Sequence, residues 1–241
     1  MFEMLDWDSA FFGFKVARII PPSLAADKLA GVLTQLRQQQ VTLAYWFSVD
    51  DDSSRKVAAE HDGFFVGTRV TYTSALNPTP PSSAAEAITS YQAADVVPEL
   101  ASLALAAGEY SRFRVDPQFP AEKFKALYAT WLRRSVQKEI ADDILVWKDP
   151  EGKIGGMVTV GQKEGRGDIG LIAVAPEFRG HHVGQDLLEA AQLSLVGRGL
   201  RLVQVVTQGE NISACRLYEK CGYQREKTES VFHFWLNSGR D

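Results

Sequence analysis

The 241-residue chain has two cysteines, four histidines, no long apolar run and no excess of basic residues. Each shortage removes a class of function. Cys215 and Cys221 are too close along the chain to bridge easily and too far apart for a CxxC pair, so both are expected to be packing thiols. His61, His181, His182 and His233 show no metal-binding spacing with one another or with carboxylates, and no metal is expected. No apolar stretch reaches the roughly 20 residues of a membrane span. The opening Met1-Phe-Glu-Met-Leu-Asp-Trp-Asp carries acids where an export signal carries bases, so a cytoplasmic protein without a membrane partner is expected. With a formal charge of −4 and no dense basic stripe interleaved with aromatics, the chain is not expected to bind nucleic acid.

What is present is an ordinary globular composition, 45% hydrophobic and 23% charged, which argues against disorder, collagen and coiled coil. The run Asn77-Pro-Thr-Pro-Pro-Ser-Ser interrupts every periodic pattern, because its prolines remove donors and disfavour helix. A linker is therefore expected at 77–85, between an N-terminal α/β domain at 1–76 and a second unit at 86–241. In the first unit, strands are expected at 14–20, 41–49 and 65–75. Between them fall a helix carrying Leu29, Val32, Leu33 and Leu36, and a short helix capped by Ser53 or Ser54. In the second unit the expected order is strand 88–91, helix 98–107, a loop with Ser111-Arg-Phe-Arg, helix 121–136, strands 144–148, 155–163 and 168–174, a helix, strand 201–208, a helix, and a last strand 231–236.

The chemistry-bearing stretch is Val174-Ala-Pro-Glu-Phe-Arg179-Gly180-His181-His182-Val183-Gly184. It follows an apolar strand and opens a helix whose buried stripe is Val183, Leu187, Leu188, Ala191 and Leu195. Gly180 and Gly184 leave amide N–H groups uncovered beside a helix N-terminus carrying about half a positive charge, a fit for a pyrophosphate. A second motif follows: Asn211 caps a helix containing Ala214, Leu217, Tyr218 and Lys220, which Gly222 stops ahead of Tyr223.

Together these motifs resemble those of the GCN5-related N-acetyltransferase (GNAT) superfamily, whose coenzyme-A-binding signature is Arg/Gln-x-x-Gly-x-Gly/Ala. The likeness covers roughly residues 90 to 236. His182 stands where the signature has its middle glycine, which a side chain is expected to allow only with φ below zero. The resemblance implies an α/β (α+β) fold with a mixed, mostly antiparallel sheet splayed open at its middle and flanked by helices. The smaller N-terminal α/β domain would be a degenerate partial copy of the same topology. It further implies acetyl-CoA as co-substrate, with its diphosphate on Arg179, Gly180, His181, His182, Val183 and Gly184. Backbone groups of Ile172, Ala173 and Val174 would lie along its pantetheine arm, and one of their N–H groups would polarise the thioester carbonyl. Asn211 either caps its helix and nothing more or, as the likeness implies, bonds that arm as well. Tyr218 matches the family's general acid, and a phenol stays protonated at neutral pH.

Two further segments, Leu5-Asp-Trp-Asp-Ser-Ala-Phe-Phe-Gly13 and Ser111-Arg-Phe-Arg-Val-Asp-Pro-Gln-Phe119, resemble the N-acetyltransferases of nucleotide-linked amino sugars, the dTDP-fucosamine enzymes among them. That likeness implies Arg112 and Arg114 as a fork for the nucleotide's phosphates, and Phe113 or Tyr110 as a stacking surface for its base. The stretch Gly63-Phe-Phe-Val-Gly-Thr-Arg69 lacks the acidic residue those relatives carry near the acceptor, and no general base is assigned among Glu109, Tyr110 and Asp116. A peptide, polyamine or antibiotic amine as acceptor, and an acyl-CoA sensor without turnover, remain open. A homodimer would follow family habit.

Overall fold

The computed structural model describes residues 1–77 and 88–236. The expected linker therefore lies, past Asn77, outside the described residues. The first stretch runs β1 (Phe2–Met4), α1 (Asp6–Phe12), β2 (Val16–Ile19), α2 (Ala26–Gln38), β3 (Leu43–Val49), α3 (Asp52–Ala59) and β4 (Phe64–Ala75). The second runs β5 (Ile88–Ser90), α4 (Pro98–Ala107), α5 (Arg112–Val115), α6 (Ala121–Val136), β6 (Asp143–Lys148), β7 (Ile154–Lys163) and β8 (Arg166–Val174). After a 3-10 turn (Pro176–Phe178) come α7 (Val183–Gly197), β9 (Leu202–Gln208), α8 (Ile212–Lys220) and β10 (Gln224–Trp235). No helix among the described residues is long and apolar enough to cross a membrane.

All ten described strands join one sheet, ordered β1-β2-β3-β10-β4-β9-β8-β7-β6-β5. Only β2–β3 and β8–β9 pair in parallel, so the sheet is mixed and mostly antiparallel. The two halves of the chain interleave: β10, the last strand, sits between β3 and β4 of the first half.

Side-chain alternation along the strands assigns the helices to faces. Ile144, Val146 and Met157 point to one face and pack with Leu100, Leu103 and Leu132 of α4 and α6. Their neighbours Leu145, Val158 and Val160 point to the other, against Val183, Leu187, Leu188, Ala191 and Leu195 of α7. The same division holds at the N-terminal end. Trp46, Phe232 and Phe234 meet Leu29, Val32, Leu33 and Leu36 of α2, while Leu43 and Tyr45 meet Phe113 of α5 and Phe124, Leu127 and Tyr128 of α6.

Four local expectations are corrected. Strand β1 and helix α1 fold a segment to which no element was assigned. The α3 cap is Asp51, whose carboxylate accepts the Ser54 N–H at 2.7 Å. The Ser111 stretch is a helical turn rather than a loop, because the Ser111 hydroxyl accepts the Phe113 N–H at its start. The last strand begins at Gln224, seven residues early; its polar first half defeats a hydrophobicity criterion but is paired with β4.

The feature that opens the sheet lies in β8. Its register against β7 jumps between Val158↔Ile172 and Val160↔Ile169, so Gly170 and Leu171 together oppose Thr159, a bulge that bends the strand. The Leu171 N–H, taken out of the ladder, donates to Thr159 Oγ1 at 2.8 Å. Thr159→Val keeps the shape and removes the acceptor, leaving a part-buried amide bare, which should cost about 1 kcal/mol. Urea unfolding measures it; an unchanged midpoint would mean that water takes the hydroxyl's place.

Candidate active site

Beyond the bulge the sheet parts. Strands β8 and β9 pair at Gly167↔Val203, Asp168↔Gln204 and Ile169↔Val205, and no further. The cleft that follows has a volume of about 930 Å³ and runs from α7 and α8 on one side to α1, α5 and α6 on the other.

On β8 the Ala175 N–H donates to Gly155 O at 2.8 Å. The antiparallel alternation then turns Ala173's groups toward β7 and those of Ile172 and Val174 into the split. Arg179 confirms the direction, its Nε donating to Val174 O at 3.1 Å. Thus Ile172 and Val174 offer main-chain groups to the cleft, and Ala173 lines it without doing so.

At the head of α7 the chain turns through Gly180 at φ +81° and His182 at φ +63°. The expectation of a negative φ at His182 is overturned: the residue takes the left-handed conformation a glycine would take there, at a cost for a non-glycine of order 1 kcal/mol. Within the described residues, the N–H groups of Gly180, His181, His182, Val183 and Gly184 have no protein partner. Arg179, Gly180, His182, Val183 and Gly184 line the cleft; His181 is exposed and does not. A side chain at Gly184 would place its Cβ 3.1 Å from Leu217 of α8, so the glycine lets the two helices close on the cradle. Bare amides at a helix N-terminus suit the pyrophosphate of a coenzyme A, and the outward groups of Ile172 and Val174 suit its amide-bearing arm.

Tyr218 lines the cleft from α8, only 2% exposed, its ring held between Tyr72 at 5.6 Å and Tyr223 at 5.8 Å. Burial, with the neighbouring tyrosines and cysteines, raises its pKa, so the hydroxyl keeps its proton throughout the neutral range. Asn211 Oδ1 accepts from Ala214 N–H at 3.1 Å and from the Ser213 hydroxyl at 2.9 Å. The oxygen is committed to the cap, and the side-chain NH₂ is what Asn211 has left to offer the cleft.

The opposite wall comes from segments far apart in the sequence. Tyr110 is exposed at the rim, and Phe113 is 5% exposed with its ring against Phe12 and Phe119. Arg112 lines the cleft; Arg114 does not, lying over Phe124 at 5.8 Å. The expected fork is not formed, because residues two apart on a helical turn point to opposite sides. Asp8 was not anticipated: α1 brings this half-buried carboxylate to the lining, where burial raises its pKa against the pull of Arg112. Behind Arg112 lies a buried pair. Asp116 Oδ2 is 2.6 Å from His233 Nδ1 and accepts Trp235 Nε1–H at 2.9 Å. His233 Nε2 is 3.2 Å from Arg112 Nη1. A polar side chain at an inward position of an apolar strand was the signal for His233.

Against this geometry, residues 141–225 match the Acetyltransferase (GNAT) domain family. That segment is a GNAT acetyltransferase domain, and the chain is an acyltransferase. It is 28% identical over 236 residues to the dTDP-fucosamine acetyltransferase of Escherichia coli O6:H1, covering 97% of this chain and 96% of that protein. It is also 26% identical over 125 residues, 52% of this chain and 43% of the relative, to the spore coat polysaccharide biosynthesis protein SpsD of Bacillus subtilis. Among solved structures, a GCN5-related N-acetyltransferase from Sphaerobacter thermophilus superposes with a TM-score of 0.61 at 18% identity, covering 100% of this chain and 78% of that one, which shows the fold.

The buried pair generates a pH dependence. Burial, helped by the Arg112 charge, brings the His233 pKa down to about 4 against the upward pull of Asp116. Burial raises Asp116, but the bonds from His233, Trp235 and Gln118 N–H more than reverse it, so its carboxyl sits below the ordinary range. Both groups hold protons more weakly folded than unfolded, so unfolding takes up protons. For His233 the stability is full above the unfolded imidazole's pKa of about 6.5 and is lost as pH falls toward about 4. Calorimetric Tm values between pH 7 and 4.5 should fall more steeply for the wild type than for His233→Gln. Parallel declines would assign the loss to other groups.

Proposed function

We propose that the chain transfers an acetyl group from acetyl-CoA to the primary amine of a nucleotide-linked acceptor, a dTDP-4-amino-6-deoxy sugar. The observation that carries the acceptor class is charge. In a chain of net charge −4, the described cleft lining holds Arg69, Arg112, Lys163, Arg179 and Lys220 against the carboxylates of Asp8 and Glu109. A cationic peptide or polyamine is repelled by such a lining, whereas a sugar carrying two phosphates is drawn to it. The likeness across nearly the whole chain to a dTDP-fucosamine acetyltransferase points the same way.

Bound in the split, acetyl-CoA supplies an activated thioester. The amides of Gly180, His182, Val183 and Gly184 would hold the diphosphate, Ile172 and Val174 would align the arm, and an N–H of that strand would polarise the thioester carbonyl. The acceptor amine attacks directly, so the C–N bond forms as the C–S bond breaks. Asp8, the half-buried carboxylate of the lining, receives the proton that the amine sheds, and Tyr218 gives its proton to the departing sulfur. A positioned acid of this kind contributes about 10²- to 10⁴-fold.

A thiol-release assay with acetyl-CoA tests the reading. The dTDP-linked 4-amino sugar should turn over about tenfold or more faster than the free sugar, since binding of the remote handle is used to orient the amine. Equal rates, or a preference for spermidine, would sink the acceptor; coenzyme binding with no release on any amine would leave a sensor. In the same assay Tyr218→Phe should lower kcat by about 10²-fold with coenzyme A affinity kept. A loss below twofold would make Tyr218 a packing residue.

A further inference from the structure

The Arg112 guanidinium is fixed in an unusual way for a cation on a cleft wall. Its Cζ lies 3.8 Å from the ring centre of Tyr45 and 4.1 Å from that of Phe113. One N–H points at His233 Nε2, 3.2 Å away. A guanidinium has only donors, so Nε2 must be the acceptor, and the ring proton must sit on Nδ1 facing Asp116 Oδ2 at 2.6 Å. The imidazole is therefore neutral and does not cancel the arginine's charge. Asp116 and His233 are both fully buried, and Trp235 Nε1–H secures the same carboxylate oxygen. Asp8 lies near enough to feel the arginine, but within the described residues no carboxylate comes within ion-pair distance of Arg112.

The other arginines on this lining are occupied. Arg69 pairs with Glu229 at 2.6 Å, and Arg179 donates to the carbonyl of Val174. Arg112 is stacked between two rings and bonded to a neutral imidazole, half out of water, with N–H groups left over. An immobilised guanidinium with no directly paired carboxylate is a site for an oxyanion, because a phosphate supplies the contact ion pair and the missing hydrogen bonds.

We propose that Asp116 and His233 are positioning residues that hold Arg112 as a fixed grip for a phosphate oxygen of the acceptor's nucleotide handle. The proposal rests on the amino-sugar reading above and assigns the grip to one arginine and its buried support. His233 sets the guanidinium's direction, and Asp116 sets the tautomer that lets His233 accept.

Calorimetry with dTDP as the probe, on wild type, Arg112→Ala, His233→Asn and the double variant, decides it. Asparagine keeps a donor for Asp116 but is too short to reach Arg112. Each single change should weaken dTDP binding about tenfold or more. The double variant should be no worse than Arg112→Ala, because His233 acts through Arg112, and coenzyme A affinity should stay within about twofold throughout. Losses that add, an unaffected His233→Asn, or a wild type that does not bind dTDP overturn the proposal. Should His233→Asn fail to fold, His233→Gln decides. Its amide oxygen replaces Nε2 as acceptor, so it must keep most of the dTDP affinity, and a folded His233→Gln without it is equally fatal. Turnover separates this from the broader reading. A wild-type preference for the nucleotide-linked sugar that survives in His233→Asn sinks the positioning role alone. A wild type indifferent to the nucleotide, with dTDP binding still coupled between Arg112 and His233, sinks the amino-sugar acceptor alone.

Discussion

Everything in this molecule depends on two parallel strands ceasing to be neighbours. Three residue pairs join β8 to β9, and beyond Ile169 and Val205 each strand keeps only its outer partner. An open sheet edge inside a protein exposes main-chain donors and acceptors that must find a partner. On the function proposed above, the unpaired stretch of β8 is the docking edge for an extended, amide-bearing ligand. The bulge at Thr159 makes the parting permanent by bending β8 away, and the Thr159 hydroxyl pairs the one amide that the bend would orphan.

The two walls of the cleft are built by different means. The wall proposed to hold the coenzyme is made of backbone: bare amides at the head of α7, outward groups of β8, and helices brought together over Gly184. The wall proposed to face the acceptor is made of side chains from α1, α5 and α6, packed through an aromatic cluster around Phe12, Phe113 and Phe119. A backbone site tolerates wide sequence change outside its glycines, whereas a side-chain site changes with each residue. One scaffold can therefore keep its donor while its acceptor diverges.

That contrast explains what could be read from the sequence. The cradle and the Tyr218 helix were legible because contiguous residues build them, and an uncovered amide needs glycine at fixed intervals. The alternating apolar strands and the α2, α6 and α7 stripes were legible for the same local reason. His182 misled because a left-handed φ at histidine leaves no mark in the sequence. Arg112 and Arg114 read as a pair until the Ser111 cap wound them into a helical turn that separates them. Asp116 meets His233, and Asp8 comes near Arg112, only through the order of the sheet, and no single-sequence pattern reports that β10 runs between β3 and β4.

The position of β10 also governs how the chain must be assembled. Synthesis proceeds from the N-terminus, so β3 and β4 emerge long before the strand that separates them, and both wait with an unpaired edge. Trp46 and Phe65 gain their shared neighbour Phe232 only when the final strand arrives. Contacts so distant along the chain carry a large loop-closure cost, which slows folding and prolongs the exposure of apolar edges. The nascent protein thus has an interval in which its first half cannot finish folding, and the insertion of one C-terminal strand ends it.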